Sequence, residues 1–248
     1  MEHISKAQIK LIRSLQLKKF RDELGLFVAE GDKCIEELRK GFELVNLYRA
    51  GENATATEIE QMSGLKTPQG SIAMFRKPAV GYGERTIGND LTLLLDGIQD
   101  PGNLGTIIRT CDWFGVKEII CSPDTVDCFN PKVVQATMGA LVRVRLVYRD
   151  LVPLIEAERY AGTKIFGTLL DGDNMYNILQ SSINRTSSIV QSSIIVMGNE
   201  GNGISKEVRT YITHPLRIPC YPEGAETSES LNVAIATAIV LAEFRRPK

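Results

Sequence analysis

Histidine is almost missing from this chain: among 248 residues only His3 and His214 carry an imidazole. That scarcity argues against His-ligated metal centres and against Ser/His/Asp or Cys/His nucleophilic catalysis, which need imidazoles at the reacting atoms. Cysteine is sparse and unpatterned. Cys34, Cys111, Cys121, Cys128 and Cys220 are odd in number, widely spaced and form no C-x-x-C pair. A disulfide framework and a zinc site are therefore not expected, and the thiols read as reduced and mostly buried. An excess of one charge is lacking too: 29 Lys and Arg face 30 Asp and Glu. Any site for a polyanion must then be local. Long apolar runs are absent, since MEHISKAQIK is charged and Leu231 to Phe244 is interrupted by Asn232, Thr237 and Glu243. Neither an export signal nor a membrane span is expected, and the cytoplasm is the expected location. With 43% apolar and 24% charged residues, what remains is an ordinary globular chain of one large or two modest domains.

Along the chain, Ser5 and Gln8 have capping-box spacing, and Ile4, Leu11, Ile12 and Leu15 repeat at helical intervals, which predicts an amphipathic opening helix. Lys6, Lys10, Arg13, Lys18, Lys19 and Arg21 stand against Glu2 alone in residues 1–21, a local +5 in a chain otherwise at −6. This is either a solvated helix face or a contact for a polyanion. The segments LGLFVAEG, a helix capped by Asp32, FELVNLYRA, a second capping box at Thr55 and Glu58, and a strand at 71–75 suggest a small α/β unit. KPAVGYGERTIGND (77–90) lacks apolar periodicity and is the best linker. The expected division is 1–85 and 86–248.

Beyond the linker, strands LTLLLD, EIIC, VRVRLV, KIFGTLL, SIIVMG and LRIP alternate with helical segments, the last expected from Ser230. This rhythm predicts an α/β fold with a mostly parallel sheet covered on both faces. Ligands gather beyond the carboxyl ends of such strands, and three loops there stand out. LDGIQDPGNLGTIIRT places Asn103 and Arg109 six residues apart after a Gly-rich turn. IIVMGNEGNGIS surrounds Glu200 with Gly198, Gly201 and Gly203. RIPCYPEGAETSESLNVAIATAIV delivers Ser230 and Asn232 to the last helix, with Ser230 the expected N-cap. None is a P-loop or a G-x-G-x-x-G fingerprint, which discounts NTP hydrolysis and hydride transfer.

Together these three loops, in order and correctly separated, resemble the motifs of the SpoU/TrmH branch of the SPOUT RNA methyltransferases, over residues 93–246. The first unit, with FVAEG, is similar to the ribosomal-protein-like substrate-binding domain often fused ahead of that catalytic domain. The resemblance implies a C-terminal trefoil knot, against the rule that chains are un-knotted. It also implies methyl transfer from S-adenosylmethionine to a ribose 2′-hydroxyl of structured RNA, without a metal. Ribosomal RNA is favoured over transfer RNA because of the extra domain, and a silent RNA-binding assembly protein on the same fold is the alternative. By the same resemblance Asn103, Arg109, Glu200, Ser230 and Asn232 form the catalytic set. Thr168, Leu169, Gly198, Glu200, Ile218 and Leu231 line the cofactor, and a homodimer shares the site. A guanidinium keeps its proton at neutral pH, so Arg109 is expected to orient the RNA rather than act as base. CYPEGAETSE (220–229) departs from the family in being longer and more acidic.

Overall fold

A computed structural model describes residues 4–78, 91–183, 193–222, 224–225 and 230–246. Its first unit begins with α1 (Lys6–Ser14), where the expected capping box forms: Ser5 Oγ accepts from Gln8 N at 3.2 Å and Gln8 Oε1 from Ser5 N at 2.9 Å. Two donors that a helix start leaves open are thereby satisfied. There follow α2 (Lys18–Leu24), β1 (Leu26–Glu30), α3 (Asp32–Leu38), β2 (Leu44–Arg49), α4 (Ala56–Met62) and β3 (Ser71–Arg76). Thr55 and Glu58 cap α4 as expected, whereas Asp32 is the first residue inside α3, behind Gly31, and not its cap. The strands form an antiparallel sheet in the order β1-β3-β2. Alternation decides its two faces. Val28, Ile72 and Met74 pack on Ile12 of α1, on Leu15 just behind it and on Ile59 and Met62 of α4, while Phe27, Ala73 and Phe75 point the other way, into a core shared by α3 and the second unit.

That second unit runs β4 (Thr92–Asp96), α5 (Pro101–Trp113), β5 (Glu118–Cys121), α6 (Pro131–Thr137), a 3-10 turn (Ala140–Val142), β6 (Arg145–Tyr148), α7 (Leu151–Tyr160) and β7 (Lys164–Asn174). It continues through α8 (Met175–Ile183), β8 (Ser193–Gly198), α9 (Lys206–Arg209), β9 (His214–Arg217) and α10 (Val233–Phe244). The six strands pair in parallel in the order β6-β5-β4-β8-β7-β9. Leu93, Leu95, Ile195 and Met197 join Leu104 and Ile108 of α5, Val133 of α6 and Leu241 of α10 on one face. Leu94, Ile120, Ile194 and Val196 meet Leu151 and Ile155 of α7 and Val208 of α9 on the other. Burial on both faces is why these strands read as unbroken apolar runs. The α/β fold with a parallel sheet is as expected. Several boundaries differ: β6 begins three residues into VRVRLV, β7 extends past KIFGTLL to Asn174, β9 begins two residues before LRIP, and α10 starts after Asn232 rather than at Ser230. The proposed division at residue 85 lies outside the described residues. So do 184–192 and 226–229, whose path a knot would require.

The two sheets are joined by a shared core. Phe27 sits 5.5 Å from Phe75, 5.2 Å from Phe42 and 4.8 Å from Phe129 of the β5–α6 loop, ring centre to ring centre. Beside these rings lies Arg21, expected on the RNA-binding face but only 1% exposed. This corrects the sequence reading. Its Nε and Nη2 donate to Asp127 Oδ2 at 3.0 and 2.7 Å, and its Nη1 donates to the carbonyls of Leu15 and Gln16. A guanidinium so enclosed binds protein, not phosphate. The exposed pair Arg143–Glu37 also crosses the junction, but such pairs are worth about 0–1 kcal/mol, against roughly 1.5–3 kcal/mol for each buried Phe. Core packing and the Arg21–Asp127 pair therefore hold the units together. Arg21→Ala strands a buried carboxylate, and urea unfolding should show a loss of about 3–5 kcal/mol. A loss below about 1 kcal/mol, the value of exposed pairs, would mean that solvent reaches Asp127.

Candidate active site

Parallel pairing of β4 with β8 runs from Thr92↔Ile194 to Asp96↔Gly198, so the loops that leave these strands start side by side at the carboxyl edge of the sheet. The turn after β8 closes on itself: Asn199 N donates to Gly203 O at 3.0 Å and Gly203 N to Asn199 O at 2.9 Å. A Cβ at Gly198 would fall 2.2 Å from the Gly203 carbonyl carbon and 2.3 Å from Ile204 N, so only glycine admits this fold-back. Asn199 then ties the turn to the neighbouring loop. Its Nδ2 donates to Gly97 O at 2.7 Å, and its Oδ1 accepts from Gly201 N and Asn202 N. From the other side Asp96 Oδ2 accepts from Ser205 N at 2.8 Å.

Held in this way, Glu200 faces the start of α5. Asp100 caps that helix through Asn103 N at 2.8 Å and Pro101 occupies its first turn, a position where the missing N–H costs nothing. Asn103 is thereby fixed by its backbone, and its side chain works outward. Its Nδ2 donates to Glu200 Oε1 at 2.5 Å, and its Oδ1 accepts from Asn232 Nδ2 at 2.9 Å. Asn232 is itself the N-cap of α10, its Oδ1 accepting from Ala234 N and Ile235 N. Ser230, expected as that cap, is not: the chain turns helical two residues later, where a carboxamide reaches the first free amides. Three loops distant in sequence thus meet in one chain of hydrogen bonds, Asn232 to Asn103 to Glu200.

Next to this chain opens a cleft of about 370 Å³ between the β7, β8 and β9 ends and α10. All six residues expected to touch a cofactor line it: Thr168, Leu169, Gly198, Glu200, Ile218 and Leu231. Ser230 lines it as well, and Met197, Leu216, Val233 and Ala236 complete its apolar wall. An apolar cleft of roughly 300–1,000 Å³ with a few polar groups is the usual form of a small-molecule site. Arg109 is not among the lining residues. It is exposed on α5, and six residues at about 100° each carry it to a different face from Asn103. Of the expected RNA contacts Lys6, Lys10, Arg13, Lys18 and Lys19 are exposed, Lys18 pairing with Asp22 and Lys19 with Glu23.

Four of the five thiols are unsuited to attack. Cys34, Cys111, Cys121 and Cys128 are buried free thiols, and burial pushes Cys34 up to about 11 and Cys128 to about 12, far from the thiolate needed for attack at neutral pH. His214 is half-buried against Phe166, its protonation disfavoured by burial and then by Lys164. Among the described residues no group of three His, Cys, Asp or Glu is placed to hold a metal ion, and no helix is long and apolar enough to cross a membrane. Sequence reasoning missed the tying role of Asn199, whose only local signal was its place between glycines. It also missed Asp171 and Arg209, which line the cleft from segments 38 residues apart and gave no local signal.

The chain is similar to known RNA methyltransferases along nearly its whole length. Over 99% of its length the chain is 28% identical to the 23S rRNA (guanosine(2553)-2′-O)-methyltransferase RlmP of Bacillus subtilis, covering 98% of that protein. A putative RNA methyltransferase of the TrmH family from Porphyromonas gingivalis superposes with a TM-score of 0.84 at 37% identity, over 98% of each chain. An AdoMet-bound rRNA methyltransferase from Sinorhizobium meliloti does so with a TM-score of 0.81 at 29% identity, over 99% of this chain and 97% of that one. Residues 6–60 match the MRM3-like substrate binding domain. Residues 90–242, more than half of the chain, match the SpoU rRNA Methylase family, and the protein belongs to that family.

Proposed function

We propose that this chain transfers a methyl group from S-adenosylmethionine to a ribose 2′-hydroxyl of ribosomal RNA in the cytoplasm. The observation that carries this reading is the Asn232–Asn103–Glu200 chain beside a cleft whose walls hold every residue expected to touch the cofactor. The names of the related rRNA methyltransferases support it. When bound, S-adenosylmethionine supplies a methyl group activated on a sulfonium. Leu216, Ile218, Leu231 and Ala236 offer an apolar wall for its purine. Glu200 is already oriented by Asn103, so its carboxylate accepts a hydrogen bond from the acceptor hydroxyl without reorganising. Ser230 adds a hydroxyl on the same wall. Exposed Lys6, Lys10, Arg13, Lys18 and Lys19 hold RNA phosphates on the first unit.

Arg109 acts in this scheme from a second copy of the chain. It shares the open face of α5 with Thr106 and with Trp113, which is 85% exposed, next to α10 with Ile235 at 55%. So much exposed apolar surface on two packed helices fits a C2 contact, and that contact brings Arg109 toward the partner's cleft. There its planar fork holds the target phosphate and hydroxyl.

Incubating the protein with methyl-labelled cofactor and unmodified ribosomal RNA should place label in alkali-resistant dinucleotides, the mark of a 2′-O-methyl group. Label in bases, or none in any RNA, would end this reading. Arg109→Ala and Arg109→Lys are both expected to abolish transfer while calorimetry still detects cofactor binding, because a point charge does not replace the fork. Near-normal turnover by Arg109→Lys would rule out bidentate holding. Mixing inactive Arg109→Ala with inactive Glu200→Ala under subunit exchange should restore part of the activity, since each heterodimer keeps one intact Arg109 facing one intact cleft. Verified heterodimers without activity would place the site within one chain.

A further inference from the structure

The lip of the cleft carries a feature that the reading above leaves unused. Thr168 and Asp173 of β7 both pair with Leu216 of β9, so residues 169–172 stand out of the ladder as a bulge. Bulges re-aim side chains beside active sites. This one is pressed tightly onto its neighbour: a Cβ at Gly172 would fall 2.7 Å from the Leu216 carbonyl carbon, and Arg217 Nε donates to Gly172 O at 3.3 Å. Its tip carries Asp171 to the cleft, where Arg209 Nη2 of α9 donates to Asp171 Oδ2 at 2.5 Å. The far side of α9 is anchored by Arg159 Nη1, which donates to Thr210 O at 2.7 Å. A cation and an anion are thus set side by side on two braced segments of the same cleft. Both remain accessible, with side-chain exposures of 48% for Arg209 and 66% for Asp171. An exposed ion pair contributes little to folding, so opening it costs little.

We infer that the Arg209–Asp171 pair is the grip for the zwitterionic amino-acid end of the cofactor, Arg209 taking its carboxylate and Asp171 its ammonium. This rests on the cofactor reading above. The chemistry is complementary: a guanidinium fork matches a carboxylate with two parallel hydrogen bonds, and a carboxylate accepts from an ammonium. In the free protein the two side chains satisfy each other. In the complex the amino-acid end enters between them, so charges alternate and neither side chain loses its counter-ion. The apolar wall of Leu216, Ile218 and Ala236 is left for the nucleoside, so the two ends of the ligand are recognised by different physics.

Calorimetry on the full-length chain separates these contributions with two ligands, S-adenosylhomocysteine and 5′-methylthioadenosine, which share the nucleoside thioether but differ in the amino-acid end. The wild-type protein should bind the first at least about tenfold more tightly, the scale of a charge-assisted hydrogen bond. Arg209→Ala and Asp171→Ala should each weaken S-adenosylhomocysteine by about tenfold and change 5′-methylthioadenosine by less than about twofold. Both positions are exposed, so thermal melts of the variants should match the wild type. Equal weakening of both ligands, or of neither, overturns the assignment of the pair. Failure of the wild-type protein to bind either nucleoside overturns the cofactor reading and this inference with it.

Discussion

The register between β4 and β8 is the constraint on which the site depends. Because Asp96 lies opposite Gly198, the turn after β8 is delivered within reach of Gly97 and Asp96, and Asn199 and Ser205 bind there. Ile194 and Val196 pack into one core and Ile195 and Met197 into the other, so both faces of β8 are apolar and its register depends on the fit of these side chains in their packed sites rather than on a polar face. Packing that stabilises the sheet thereby also places Glu200. Without Gly198 the turn does not close, and without the turn Asn103 has no carboxylate to hold.

A different balance governs the junction between the two units. Phe27 and Phe75 face away from α1 and α4, which leaves the small sheet with an apolar side that α3 and the second unit cover together. Phe129 fills it, and Asp127 next to it accepts the one guanidinium buried there. Removing one partner of this pair is costly because the other is left buried without its counter-charge. The exposed lysines of α1 and α2 consequently sit on a braced platform rather than on a tethered module. In the proposed function, where these lysines hold RNA, such bracing would lower the entropy lost on capture.

Much of the site was legible because its signals are local. Glycine density at 198–203, the Gly-rich turn ahead of Asn103 and the polar residues ahead of α10 each report on a few consecutive residues. Other signals misled for the same reason. Arg21 reads as one more cation of a basic stretch, since the Asp127 that buries it lies 106 positions away. Ser230 is a good cap by type, but the path of the chain makes Asn232 the residue whose side chain meets the free amides.

The sequence by itself determined the α/β class, the apolar two-sided strands, the capping boxes of α1 and α4 and the identity of the polar residues at the strand ends. These depend on periodicity and on backbone chemistry within a few residues. Tertiary structure alone decided that Asn103, Glu200 and Asn232 touch, that Arg109 turns away from the cleft of its own chain, that Arg21 is buried, and that Asp171 meets Arg209. The meeting of the three loops follows from the order in which six strands stack, the Asp171–Arg209 contact from one bulge, and the burial of Arg21 from the packing of the two units, all set by long-range packing that no local pattern of residues encodes.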